Sequence, residues 1–95
     1  MREQRSPPTV RVLLPEALVS LFPGSARQVT LEAATVGEVM AALDARWPGM
    51  RDRLCDQAPG IRRHIRVFVG EQRAGLGTTL SPGAEVLIMT AISGG

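Results

Sequence analysis

The stretch TVGEVMAALDARWPGM, residues 35–50, carries the strongest structural signal in the chain. Thr35 is placed to act as an N-cap and Glu38 follows three residues later, which is the spacing of a capping box. Val36, Val39, Met40, Leu43 and Trp47 then recur at helical spacing on one stripe, so the helix carries a single apolar face that must be laid against something. Pro48-Gly49 stops it. A single strong amphipathic helix set among alternating segments predicts an α+β domain, with that helix packed on one face of a sheet.

The alternating segments lie on both sides of the helix. Before it, TVRVLL places Val10, Val12 and Leu14 on one face and is the first strand, ended by Pro15. EALVSLFPGSA has room for a helical turn before Pro23-Gly24. RQVTLEA, with Val29 and Leu31 alternating against Thr30 and Glu32, is the second strand, antiparallel to the first. After the helix, MRDRLCDQ is a weaker helical turn with Met50, Leu54 and Cys55 inward, closed by Pro59-Gly60. HIRVFVG sends Ile65, Val67 and Val69 one way and Arg66 and Phe68 the other. A short edge strand is expected between Arg73 and Leu80. Ser81-Pro82-Gly83 is a turn, and EVLIM opposes Val86 and Ile88 to Leu87 and Met89. The expected order is β-β-α-β-(β)-β, a mixed sheet of four to five strands, and the helical crossover leaves room for parallel pairing at its centre. The boundaries read as a disordered lead-in over 1–8, a domain over 9–90 and a flexible tail over 91–95.

Composition narrows the function classes. Ninety-five residues suffice for one small domain with a modest core. Every basic side chain other than His64 is arginine, which raises the pI while the net charge is only +2. With aromatics at 3%, nucleic-acid binding is not expected, since it ordinarily shows a larger positive excess and stacking rings. The absence of lysine fits a GC-rich coding bias; it also spares a reactive acyl group any internal ε-amine. A single cysteine excludes an internal disulfide, a Cys-rich zinc site and a Cys-ligated iron–sulfur cluster. A reducing cytoplasm fits this usage, and no signal or membrane-spanning run is read.

Conventional catalytic motifs are missing. A phosphate-binding GxxxxGK[ST] loop is impossible without lysine, and Gly70, Gly75 and Gly77 lack the GxGxxG spacing. His64 reads as a strand-end residue, Cys55 as a small hydrophobe and Trp47 as core. No metal site is expected. What remains is the end of the chain. Gly94-Gly95 follows the last strand through a short uncharged tail, and two residues without Cβ atoms make it slim and flexible. Such a tail is suited to threading a narrow tunnel and presenting its carboxylate at a distance from the domain.

The opening strand VRVLLP, the capped helix, HIRVFVG, the turn SPGAEVLI and the ending AISGG together resemble the ThiS/MoaD sulfur carriers of the ubiquitin-like β-grasp superfamily. The likeness runs over roughly Thr9 to Gly95, and WPGMRDRLCDQAPGIRRHIRVFVG is most similar to the CysO-type branch. Thr90 departs from the proline that many relatives carry before the tail. The resemblance implies that the chain is not an enzyme but a co-substrate with no bound cofactor. A ubiquitin-activating-type adenylyltransferase/sulfurtransferase would use ATP and magnesium to adenylate Gly95, and sulfide or a persulfide would displace AMP to leave a thiocarboxylate. Gly94 would give slim approach. A sulfur-accepting synthase is the second implied partner and a metalloprotease that trims the tail a third; the CysO-type likeness points to cysteine formation, while thiamine, molybdopterin and natural-product pathways stay open. Leu13, Phe68, Leu87 and Met89, of opposite parity to the core, are expected to form an exposed apolar docking patch, with Ile92 and Ser93 contacting partners from the tail. A monomer that meets partners transiently is expected. Two other readings stand beside the carrier: a protein modifier conjugated through Gly95, and a plain β-grasp binding module.

Overall fold

The computed structural model describes residues 6–56 and 60–90. Along the chain run β1 (Thr9–Leu13), α1 (Glu16–Leu21), β2 (Gln28–Glu32), α2 (Val36–Arg46), α3 (Met50–Leu54), β3 (Ile65–Val69), β4 (Gln72–Arg73) and β5 (Glu85–Thr90). The five strands form one sheet in the order β2-β1-β5-β3-β4. β1 pairs antiparallel with β2, from Thr9 opposite Glu32 to Leu13 opposite Gln28. Its other side pairs parallel with β5, where Arg11, Val12 and Leu13 face Glu85, Val86 and Leu87. β3 is antiparallel to both β5 and β4. The parallel contact of first and last strands needs a long connection, and the stretch containing α2 and α3 supplies it.

Side chains alternate along each strand, so one parity of the sheet forms the core. Val10, Val12, Leu14, Val29, Leu31, Ile65, Val67, Val86 and Ile88 are buried together with Val36, Val39, Met40 and Leu43 of α2. The four α2 residues are at 0% exposure, as are Met50 and Leu54 of α3; α1 contributes Leu18. Trp47, at the end of the helical stripe, is half-buried against this cluster. No polar or charged side chain is buried among the described residues.

The N-terminus of α2 shows how the turn-rich stretch after β4 is used. A helix leaves its first backbone N–H groups without intrahelical acceptors. Here Val36 N donates to Thr78 O at 3.0 Å and Gly37 N to Leu76 O at 2.8 Å. Glu38 N donates to Thr35 Oγ1 at 3.2 Å. The Glu38 carboxylate returns to Ala34 N at 2.7 Å, one residue before the cap. The expected edge strand between Arg73 and Leu80 is therefore displaced: β4 occupies only Gln72–Arg73. Beyond it Ala74 N still donates to Val67 O of β3 at 2.8 Å, but the carbonyls of Leu76 and Thr78 then turn to the helix, and Thr79 bridges to Thr35. Gly37 sits where a Cβ would come within 3.2 Å of Leu76 O, so the helix and this loop meet backbone to backbone.

Two further links fix the frame. Gly49, at φ 98°, turns the chain from α2 into α3. Asp44 Oδ1 accepts from Gly49 N at 3.0 Å and Arg51 N at 3.1 Å across that turn. At the other end Pro8 O accepts from Ala33 N at 3.0 Å, so the chain is tied to the sheet one residue before β1. Of the expected lead-in, residues 1–5 lie outside the described residues, as does part of the closing Pro59-Gly60 turn.

Candidate functional site

Gly94, Gly95, Ile92 and Ser93 lie outside the described residues; Thr90, the last residue of β5, is the last one described. The end of β5 is the platform that precedes that segment. β5 is an interior strand, flanked by β1 and β3. Its final residues remain in register with β3, Thr90 opposite Ile65 and Met89 opposite Arg66.

On the face of the sheet turned away from α2, the four apolar residues of opposite parity come together. Leu13 is the register partner of Leu87, and Leu87 that of Phe68. These three form a row across β1, β5 and β3, ended by Gln28 on β2 and Arg73 on β4. Met89 lies two residues along β5 from Leu87. Only Met89, at 42%, is exposed; Leu13, Phe68 and Leu87 are half-buried. The row is thus less open than an isolated patch, because cross-strand neighbours about 5 Å apart cover one another. Arg11 and Glu85, paired at 3.4 Å, lie two residues before Leu13 and Leu87 on the same face. At the other end a groove of about 470 Å3 opens between Leu13, Pro15, Arg27, Leu87, Met89 and Thr90, beside the point where the tail begins.

The remaining reactive side chains are not gathered into a catalytic arrangement. Cys55 is buried, and that burial pushes its thiol above the usual range, against the opposing pull of Arg51 and Arg62. A protonated, buried thiol is a poor nucleophile. His64 is exposed and immediately precedes β3. Among the described residues no three of His, Cys, Asp and Glu cluster in a way that could hold a metal ion. No helix of the described residues is long and apolar enough to cross a membrane.

One feature of this surface escaped the sequence reading. A recess of about 640 Å3 lies between residues 60–67 and 73–77, with Arg62, Arg63, Arg66 and Arg73 on its walls. The first three are close in sequence, but Arg73 joins them only through the β3–β4 turn at Gly70, whose φ of 63° favours glycine.

Compared with known proteins, the chain matches a model of the ThiS family over residues 12–95. The chain belongs to the ThiS family. This is the group of ubiquitin-like sulfur carriers that the sequence motifs resemble. "Sulfur carrier protein CysO" of Mycobacterium tuberculosis is 31% identical over 78 residues, covering 76% of this chain and 84% of that protein. A chain of the Amycolatopsis orientalis BexX/CysO complex superposes with a TM-score of 0.80 at 28% identity, over 90% of this chain and 99% of its own. SAMP1 from Haloferax volcanii gives 0.76 at 26% identity, over 92% and 99%. The β-grasp fold and the CysO-type likeness expected from sequence are both borne out.

Proposed function

We propose that this ThiS-family chain carries sulfur as a thiocarboxylate on its terminal residue, Gly95. One observation carries the reading: the family match extends through residue 95 and so includes the Gly94-Gly95 end, which is separated from an interior strand of the sheet by three residues.

The chemistry follows from the carboxylate itself. Its negative charge resists nucleophilic attack. An activating enzyme using ATP and magnesium would join a carboxylate oxygen to the α-phosphorus with loss of pyrophosphate, giving a neutral acyl carbon with AMP as leaving group. Sulfide then adds to that carbon and AMP departs, leaving the thiocarboxylate. A persulfide donor gives an acyl disulfide, from which a second thiol releases the same product. An acceptor enzyme takes the sulfur, and water returns the carboxylate. The row Leu13–Leu87–Phe68, with Met89, is the docking face in this scheme, and Gly94 allows close approach.

The test is incubation with a ubiquitin-activating-type adenylyltransferase, ATP, magnesium and sulfide, read by intact mass. The expected product gains the oxygen-to-sulfur mass increment at its C-terminus, and deletion of Gly94 and Gly95 abolishes it while leaving the fold unchanged. Sulfur loading retained after that deletion overturns the reading.

The likeness to SAMP1, a small archaeal modifier protein, favours one second reading, conjugation of Gly95 to a target amine. This chain has no lysine, so as a modifier it could not be extended into lysine-linked chains of itself. High-mass conjugates of single-copy increments in cell extract would favour it.

A further inference from the structure

We propose that the arginine-walled recess beside β3 binds a carboxylate-rich peptide segment of the protein that docks on the helix-free face. Charge is the first argument. Four arginines line one cavity, and among the described residues only Arg62 is paired with a carboxylate, Asp56 at 3.5 Å. Converging arginines raise the local potential and favour an anion, and their planar forks match carboxylates.

Two of these arginines are also held in place. Arg62 Nε donates to Asp52 O at 2.9 Å, and an Arg66 terminal nitrogen donates to Arg63 O at 3.1 Å. The opposite wall is fixed by Gly37 N on Leu76 O at 2.8 Å and by Gly75 N on Thr78 Oγ1 at 3.0 Å. Groups ordered before binding lose less entropy when a ligand arrives.

Shape distinguishes a peptide from a small anion. β4 pairs with Phe68 and Val69, and Ala74 N donates to Val67 O at 2.8 Å, so Ile65 and Arg66, at the start of β3, have no strand neighbour on that side. The recess follows this uncovered stretch, and apolar Ile61, Val67 and Leu76 line it together with the arginines. That combination fits an extended segment, acidic on one side and apolar on the other, far better than a single phosphate. Its position supplies the link to docking: Arg73 is the register partner of Phe68, and Arg66 that of Met89. The recess is a basic rim on an apolar face, the arrangement in which rim charges speed encounter and select the partner.

The proposal does not depend on sulfur chemistry, so its test does not either. The isotope-labelled full-length chain is titrated with octaglutamate and followed by amide NMR, with octaglutamine and inorganic phosphate as comparison ligands. Octaglutamate should shift amides within residues 61–66 and 73–77, and its affinity should fall as salt is raised. Arg73→Glu, on an exposed two-residue strand, and Arg66→Glu should each weaken it by about tenfold, roughly 1.4 kcal/mol. Arg46→Glu, which changes net charge equally on α2, should leave it nearly unchanged. Equal binding of octaglutamine, shifts spread over the surface, or phosphate binding the same amides as tightly would each overturn the proposal.

Discussion

The two faces of this sheet are made by the same strands and differ in almost every physical respect. On the covered face, Val10, Val12, Val67, Val86 and Ile88 are at 1% exposure or less and meet an α2 stripe that is fully buried. On the bare face, Leu13, Phe68 and Leu87 remain half-buried, Met89 is exposed, and arginines, Gln28 and Glu85 surround them. Alternation at every second residue lets one strand serve both purposes without compromise. Among the described residues the first face buries no polar side chain, so apolar burial drives it. The second keeps enough apolar area to attract a partner, with charge at its margins to orient one. A small domain can thus assign stability to one parity and recognition to the other.

The largest effect should come from attacking the covered face. Leu43→Ala removes a fully buried side chain at the centre of the α2 stripe and should cost about 2–5 kcal/mol, from lost burial and the cavity left behind. Chemical denaturation would read this as a lower midpoint at unchanged slope. Since small domains have about 5–15 kcal/mol in total, the variant should be partly unfolded at elevated temperature. A cost below about 1 kcal/mol would mean that the two faces are less distinct than their exposures suggest.

An equally drastic chemical change on the bare face should do much less to stability. Phe68→Glu gives up the burial of a half-exposed ring, about 1 kcal/mol, and puts a carboxylate opposite Arg73 in the β3–β4 register. Denaturation should show a small loss only. In the sulfur-loading assay the same variant should raise KM by about tenfold or more with little change in kcat, the pattern of a lost docking contact. Unfolding on substitution would instead assign Phe68 to the core, and unchanged kinetics would remove this face from docking.

Much of this contrast was legible in the residues. Period two in TVRVLL and EVLIM assigned Val12 and Leu13, or Ile88 and Leu87, to opposite faces, because a pleated strand leaves no other choice. Thr35 and Glu38 announced the start of α2 with the correct cap. What the pattern could not carry was anything set by the partner of a hydrogen bond. Nothing in Arg73 to Leu80 shows that the Leu76 and Thr78 carbonyls serve the helix N-terminus, so an edge strand was expected where only Gln72–Arg73 pairs. Glu38 likewise reaches Ala34 and not the capping residue's own N–H. The arginine recess was hidden for the related reason that Arg73 meets Arg66 only across a hairpin. For the C-terminal segment, residues Ile92 to Gly95, the reading rests on the family match and on chemistry.

The smallest expected effect sharpens the covered face at its margin, where Cys55 closes α3. Its thiol is held above the ordinary value of 9.0, with burial as the leading cause. A group that binds its proton more tightly when folded contributes its full stability below the unfolded-state value, and loses it as pH rises through the folded-state value. Stability should therefore be flat up to about pH 8.5 to 9 and decline above it, with a limiting slope for one proton of about 1.4 kcal/mol per pH unit. This chain makes the slope unusually easy to assign, because it contains no lysine and no tyrosine. Between about pH 8 and the titration of arginine, Cys55 is the only side chain that changes charge. Cys55→Ala should consequently flatten the alkaline decline even though it lowers stability at neutral pH by emptying part of a buried site. Denaturant midpoints for the two proteins across that pH range would decide it: parallel declines would mean that the thiol ionises as readily in the folded chain as in the unfolded one, and that the core is open to water at the end of α3.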